Sequence, residues 1–313
     1  MQVAGVDVGG TNIEVGLVGD DHEVLDRAKA TTPSGGPDAV ADTIEKLVAS
    51  LAGDPAAVGV GIPGVVHEGE VLTVPNLPNW NGHVDLAPDL ATRLGVPVAL
   101  GNDANVGLLG EWLAGSAVGA SNVLGVWMGT GIGGALIIDG CPFGGARGAA
   151  GEIGHVIVAA GGALCRCGRR GCVEAYAGRR SMEAAAAMMA DAGRTTTLWA
   201  IRDKLGKATL TSKVWARALA KGDPLATELF TTAIATLAVG VASVVNVLDV
   251  ERVVVGGGLA EKLGQDLADR IAAAAAPWML QPHPRLTFVA AELGDDSGVV
   301  GAAALGRALV NSG

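Results

Sequence analysis

The sequence predicts an α/β protein of two lobes built on one plan, separated by a central cleft. Three observations carry that prediction. Ala4–Asp20, AGVDVGGTNIEVGLVGD, aligns without a gap with Leu124–Gly140, LGVWMGTGIGGALIIDG, so that Gly5, Val6 and Gly9 match Gly125, Val126 and Gly129. Short apolar runs alternate with segments of helical period along most of the chain. The chain has 313 residues and is 50% apolar, more than one small core requires and enough for two domains.

Taken in order, the N-terminus reads as a β-meander. Val3–Val8 is a strand and Gly9-Gly10-Thr11 a turn. Ile13, Val15 and Leu17 alternate as a second strand, and Gly19-Asp20-Asp21 turns again. Asp38–Ala52 has helical period through Val40, Ile44, Leu47, Val48 and Leu51. Val58–Ile62 is a strand ending in Pro63-Gly64, Pro97–Leu100 is another, and Ala104–Leu113 is the helix that follows it. After the repeated hairpin comes a Gly/Cys-rich stretch, Gly144–Gly178, and then helices over Met182–Ala192, Val214–Lys221 and Leu225–Leu248. Arg252–Val255 is a strand opening into Gly256-Gly257-Gly258. Glu261–Ala276 and Val299–Val310 are helices. The expected division is a small lobe over 1–113, completed by a C-terminal helix over 298–313, and a large lobe over 114–297.

Composition narrows the partners. Lys+Arg is 22 against Asp+Glu 32, a formal charge of −10, with no basic block to hold nucleic acid or a membrane surface. Local backbone N–H groups can still hold an anionic nucleotide. Met1 leads straight into a strand-like run with no basic, apolar leader, so the cytoplasm is the expected location. Phe230–Leu248 is uncharged, but it carries Thr231, Thr232, Thr236, Gly240, Ser243 and Asn246. A buried core helix is the expectation there.

Five constellations carry chemistry. In Asp7-Val8-Gly9-Gly10-Thr11-Asn12 the glycines let consecutive N–H groups converge on an anion, Thr11 adds a hydroxyl, and Asp7 can hold Mg²⁺. A plain Gly-rich hairpin accounts for the same residues. Gly129-Thr130-Gly131-Ile132-Gly133-Gly134 repeats the pattern, and two matching loops favour a phosphate clamp over two chance turns. Gly256, Gly257 and Gly258, between strand and helix, admit a flat ring or a ribose close to the backbone. In Asn102-Asp103-Ala104-Asn105, Asp103 either caps the following helix or presents a carboxylate that takes a proton from an attacking hydroxyl, with Asn102 positioning a sugar.

The fifth is the most specific. Glu152-Ile153-Gly154-His155 precedes Cys165, Cys167 and Cys172, with Glu174 just beyond. Three cysteines within eight residues and a histidine ten before the first suit a closed Cys₃His zinc site. Free thiols or a redox pair are the alternatives. Zinc there would brace a loop bearing Glu152, His155 and Glu174, whose donors and acceptors suit vicinal sugar hydroxyls. One ring nitrogen of His155 can bind metal while the other meets sugar. Cys141 is left over, in an apolar, turn-like setting, and is expected to be inert.

On DVGGTN at Asp7, NDAN at Asn102, GTGIGG at Gly129, EIGH at Glu152, CRCGRRGCVE at Cys165 and VVVGGG at Val253, nearly the whole chain resembles the ROK sugar kinases. The resemblance implies two ribonuclease-H-like lobes of the actin-like ATPase kind. It implies ATP-dependent phosphorylation of a hexose at its 6-hydroxyl, glucose first, with Asp103 as catalytic base. Gly64, Asn76, Asn102, Asp103, Glu152, His155 and Glu174 are the implied sugar contacts. Structural zinc falls on His155, Cys165, Cys167 and Cys172. ATP and Mg²⁺ fall on Asp7, Gly9, Gly10, Thr11 and Asn12, on Gly129, Thr130, Gly131 and Gly133, and on Gly256–Gly258. A homodimer or homotetramer is implied. N-acetylhexosamine, mannose or fructose are the alternative acceptors, and a sugar-responsive regulator the alternative class. Many members carry Glu where this chain has Gly101, and Lys where it has Asn12.

Overall fold

Each Gly-rich hairpin begins a five-stranded sheet, and the two sheets share one strand order. The computed structural model describes residues 1–67, 69–74, 77–80, 82–281 and 284–311. In chain order the elements are β1 Val3–Val8, β2 Asn12–Val18, β3 Val24–Thr31, α1 Pro37–Ala49, β4 Val58–Ile62, β5 Val65–His67 and β6 Glu70–Thr73. Then come α2 Leu86–Leu94, β7 Val98–Asn102, α3 Asp103–Ala114, β8 Val123–Met128, β9 Ile132–Ile138 and β10 Cys141–Pro142. The chain continues with α4 Glu174–Ala177, α5 Arg179–Asp191, α6 Leu198–Lys204, α7 Ser212–Ala220 and α8 Pro224–Leu248. It ends with β11 Arg252–Gly256, α9 Ala260–Leu263, α10 Gln265–Ala275, β12 Thr287–Ala290 and α11 Asp296–Asn311.

The first sheet runs β3-β2-β1-β4-β7, and the second β10-β9-β8-β11-β12. In the first, β1 is antiparallel to β2 and parallel to β4, which is parallel to β7. In the second, β11 is parallel to both β8 and β12. The paired hairpin strands have 6 and 7 residues in both copies. The internal repeat is therefore a repeat of structure, with an antiparallel meander feeding two parallel strands.

The contacts divide the chain into two units, one of Met1–Ser121, Leu136–Ala150 and Glu292–Gly313, the other of Asn122–Ala135 and Gly151–Ala291. This departs from the expected boundary at 113 over 114–121, 136–150 and 292–297. Local contacts explain the first of these: Trp112 Nε1 donates to Ala120 O at 2.7 Å and Ser116 N to Glu111 Oε2 at 2.9 Å.

In the first unit, α11 lies against β1, β4 and α3 at backbone distance. A Cβ on Gly59 would stand 1.7 Å from Ala302 O, and one on Gly301 would stand 1.7 Å from Val106 O. No side chain fits either gap, so glycine at both positions is what lets the helix dock. Glu111 locks the same corner. It is fully buried and accepts from Ser116 N and Oγ, Glu292 N, Leu293 N and Ser297 Oγ. Removing it would leave three backbone N–H groups, of Ser116, Glu292 and Leu293, without their acceptor. Glu111→Ala is expected to cost about 3–5 kcal/mol in urea unfolding; a loss under about 1 kcal/mol would show that water replaces the carboxylate freely.

In the second unit α8 packs against α4, α5, α7 and α10. Asp223 caps it, accepting from Ala226 N at 2.9 Å, with Pro224 in its first turn. It is the one helix among the described residues long and apolar enough to cross a membrane by composition. Phe230, Ala233, Leu237, Ala238, Val241 and Ala242 are buried in the core. Thr232, Thr236 and Ser243 return their hydroxyls to carbonyls one turn back. The core-helix expectation matches that packing.

Three other expectations need correction. The helix expected over Glu261–Ala276 is broken at Gly264, whose φ of +60° ends α9 before α10 begins. Asn102, not Asp103, caps α3: its side chain accepts from Ala104 N and Asn105 N, while Asp103 is the first helical residue. Cys141 is exposed on the two-residue β10 rather than sheltered in an apolar setting.

Candidate functional site

In the first unit the site is built at the ends of β1 and β7. The strand β1 delivers Asp7 to the edge of the hairpin, where Gly9 N donates to Asn12 O at 2.9 Å and Thr32 Oγ1 to Gly9 O at 2.6 Å. These bonds close the turn over Gly9, Gly10, Thr11 and Asn12, and a Cβ on Gly10 would meet nothing within 4 Å. The loop therefore has open space on one side, as an anion site requires. The strand β7 delivers Asn102 and Asp103. Asn102 Nδ2 donates to Gly64 O at 2.8 Å while its oxygen caps α3, so one amide fixes both the helix start and the Pro63-Gly64 turn. Asp103 is half-buried at the helix N-terminus, where the dipole favours an anion. Asn76 lies outside the described residues. A Cβ on Gly101 would stand 2.6 Å from Leu305 Cδ1 and 2.9 Å from Val106 Cγ1, so a larger residue there would require those side chains to shift.

Electrostatics join these residues. Burial, then the charges of Asp103, Glu14 and Asp295, push the Asp7 carboxyl up to about 7. Such crowding suits a divalent cation, which would neutralise several charges at once. Glu14 and Asp295 escaped the sequence reading, although Glu14 faces Asp7 directly across the β1–β2 register. The sign of the pH effect follows. Folded Asp7 holds its proton more tightly than the unfolded chain does, so its contribution to stability falls as pH rises from about 4 and is fully lost above about 7. Asp7→Asn should therefore stabilise the metal-free protein, by about 2–3 kcal/mol more at pH 8 than at pH 5. Urea melts at the two pH values check this; equal gains at both would remove the buried charge as the cause.

In the second unit the part of the Gly/Cys-rich stretch from Gly151 onward folds back on itself. Val158 N and Ala159 N donate to Gly171 O, and Cys165 N to Arg169 O at 2.8 Å. These turns bring one ligand atom each from His155, Cys165, Cys167 and Cys172 within 4.8 Å of one another. Cys167 Sγ is 3.7 Å from Cys172 Sγ, and Cys165 Sγ 3.9 Å from His155 Nδ1. Ligands around a tetrahedral zinc with Zn–S near 2.3 Å stand about 3.8 Å apart, whereas a disulfide needs about 2.05 Å. The donor set and its spacing fit zinc. Burial raises the Cys165 and Cys172 thiols, whereas for Cys167 burial is outweighed by donors from Arg169 and the neighbouring thiols, which hold it down. His155 turns Nδ1 toward the Cys165 sulfur.

Glu152 and Glu174 flank this cluster. The Glu152 carboxyl is raised, chiefly by partial burial and further by Glu174, with His155 and Arg169 opposing. Glu174 Oε2 accepts from Ile132 N at 2.9 Å, and a Cβ on Gly131 would come within 2.2 Å of that oxygen. Glu174 thus ties the cluster to the loop of Gly129, Thr130, Gly131 and Gly133, a link that spacing alone did not reveal. Gly256, Gly257 and Gly258 close the corner after β11. Gly257 has a φ of +84°, and a Cβ there would stand 2.9 Å from Met128 O. Ser212 Oγ borders Gly258, and the Arg179 guanidinium bonds both Ser212 and Thr130. Neither of those two side chains was picked out from the sequence. The visible sign was an Arg just after Gly178 at a helix start, where a cation is disfavoured.

Residues 3–308 match the model of the ROK family. A glucokinase of Streptomyces coelicolor is 33% identical over 311 residues, covering 97% of this chain and 96% of the relative. An N-acetylgalactosamine kinase of Shewanella is 33% identical over 317 residues, covering 97% of this chain and 96% of the relative. The crystal structure of a ROK family glucokinase from Streptomyces griseus, in complex with glucose and AMPPNP, is 33% identical. It superposes with a TM-score of 0.86, over 98% of this chain and 100% of that one. The repeated hairpins, the Asn102-Asp103 helix start and the Cys₃His cluster are thus features of a chain that belongs to the ROK family.

Proposed function

We propose that this chain transfers the γ-phosphoryl group of ATP to the 6-hydroxyl of a hexose, glucose foremost. The observation that carries the reading is the pairing of Asp103 with Asp7 in one unit, close enough for each charge to act on the other. Phosphoryl transfer needs a base for the attacking hydroxyl and a cation site for the phosphates side by side. Asp103 takes the proton of the 6-hydroxyl as its oxygen attacks phosphorus, and ADP leaves in line. In the first unit the proposed sugar contacts are Asn102 and Gly64, already bonded to each other; in the second they are Glu152, His155 and Glu174. Mg²⁺ at Asp7 would neutralise charge on the phosphates. Zinc on His155, Cys165, Cys167 and Cys172 would hold the sugar-facing loop in shape. In the first unit the loop over Gly9–Asn12 is the proposed phosphate contact; in the second, the loop over Gly129–Gly133 is a phosphate contact and the Gly256–Gly258 corner takes the adenosine.

Both a glucokinase and an N-acetylgalactosamine kinase match at 33% identity, so identity alone does not choose the acceptor. The acceptor depends on pocket contacts worth only about 1–3 kcal/mol each. The test is a panel of glucose, mannose, fructose and N-acetylhexosamines with ATP or polyphosphate, read by ADP or phosphate release. The highest kcat/KM is expected for glucose with ATP. Turnover of none of these sugars with ATP would overturn the kinase reading, and a preference for an N-acetylated sugar would overturn glucose. Cysteines kept reduced as metal ligands and the use of ATP both suit the cytoplasm, where the protein is proposed to work.

A further inference from the structure

Arg179 occupies a position that is costly for a cation. It is the first residue of α5, where the helix dipole opposes positive charge, and it is half-buried. Burial holds its guanidinium below the ordinary value, with Glu183 opposing. Among the described residues its side-chain hydrogen bonds go to two hydroxyls: Nη2 donates to Thr130 Oγ1 at 3.0 Å and Nη1 to Ser212 Oγ at 3.1 Å. Two of five guanidinium N–H donors are spoken for, which leaves three. The backbone moors the residue to the same loop, since Arg179 N donates to Gly129 O at 3.3 Å and Arg180 N to Thr130 O at 3.1 Å. Neither Gly-rich loop, 7–12 or 129–134, contains a Lys or Arg. A nucleotide polyphosphate held on backbone N–H groups alone would keep most of its charge uncompensated.

The geometry points to Arg179 as the cation that grips the nucleotide's phosphates at the Gly129–Gly134 loop, its guanidinium plane fixed by Thr130 and Ser212. This rests on the kinase reading above and adds a binding residue to it. Arg is suited to the task because its planar fork pairs with phosphate oxygens two at a time. Ser212 also borders Gly258, so one side chain links the phosphate loop to the proposed adenosine corner.

The test is a binding series by calorimetry with Mg-ATP, Mg-ADP, AMP and adenosine on the wild type, Arg179→Met and Arg179→Lys. Arg179→Met should weaken ATP and ADP by about 10–100-fold, AMP by a few-fold and adenosine by less than about twofold. Glucose affinity without nucleotide should stay within about twofold. Arg179→Lys should recover part of the ATP loss. A residue that merely tied α5 to α7 would lower adenosine and ATP affinity alike; that result, or unchanged ATP affinity, overturns the inference. If the Met variant does not fold, Arg179→Gln, which keeps a donor for the two hydroxyls, decides by the same series. A wild type that binds ATP and ADP but phosphorylates no sugar would defeat the kinase reading, while the series still decides the role of Arg179.

Discussion

Asp103→Asn should lower kcat by about 10³-fold while leaving glucose affinity within about threefold. The substitution keeps size and shape at the first turn of α3, and Asn102 remains as the cap, accepting from Ala104 N and Asn105 N. The helix start should therefore survive, and a melting curve near that of wild type would verify it. What is lost is the ability to accept a proton. An amide has no basic oxygen at neutral pH, so the attacking hydroxyl must lose its proton to water. An effect on kcat without one on binding is the signature of an interaction made only in the transition state. Turnover by coupled ADP release at saturating sugar and ATP gives kcat, and a tryptophan-fluorescence titration gives the sugar affinity. A kcat within tenfold of wild type would remove Asp103 as the base. Asn102→Ala should behave differently, because it breaks both the cap and the bond to Gly64.

What could be read in advance followed from how local the determining physics is. The repeated hairpins were legible because a strand of alternating apolar residues next to glycines needs no distant partner to be recognised. The Cys₃His set was legible because its three cysteines are near in sequence, and the fold only had to bring His155 in by one turn. The strand β3 was missed for the opposite reason. It is an edge strand whose inward positions are Val24, Asp26, Ala28 and Ala30, too weakly apolar to mark a buried face. The helix α2, with Leu86, Ala87 and Leu90 buried, is short enough that its period spans little more than two turns. Glu111 reads in the sequence as an ordinary helical carboxylate, and only the return of Glu292, Leu293 and Ser297 from nearly two hundred residues away reveals it as a staple. Arg179 and Ser212 belong to the same class, because long-range polar contacts leave no period in the chain.

The largest loss should come from the metal cluster. Cys172 is fully buried and 3.7 Å from Cys167 Sγ. Cys172→Ser removes one of four ligands from a site whose metal free energy is worth about 10–16 kcal/mol in small zinc domains. The stretch between His155 and Cys172 is otherwise held by hydrogen bonds, among them the backbone bonds around Gly171 and Cys165, the Tyr176 hydroxyl accepting from Ala163 N and Arg170 Nη1 donating to Gly162 O. Without metal, crowded thiols lose their common partner and the loop should loosen locally. Elemental analysis should find about one zinc per wild-type chain and far less in the variant. Trypsin should then cut the variant at the exposed Arg166, Arg169 and Arg170, which the closed loop protects by rigidity. Glu152, His155 and Glu174 all hang on this loop, so glucose KM should rise by about 100-fold or more. ADP affinity should fall far less, within about fivefold, since the phosphate loop is also anchored by Arg179 N on Gly129 O and Arg180 N on Thr130 O. Equal losses for sugar and nucleotide would mean that the whole unit had unfolded, which a far-ultraviolet melt would reveal. A metal-free wild type with full activity would show that the four ligands do not need the ion.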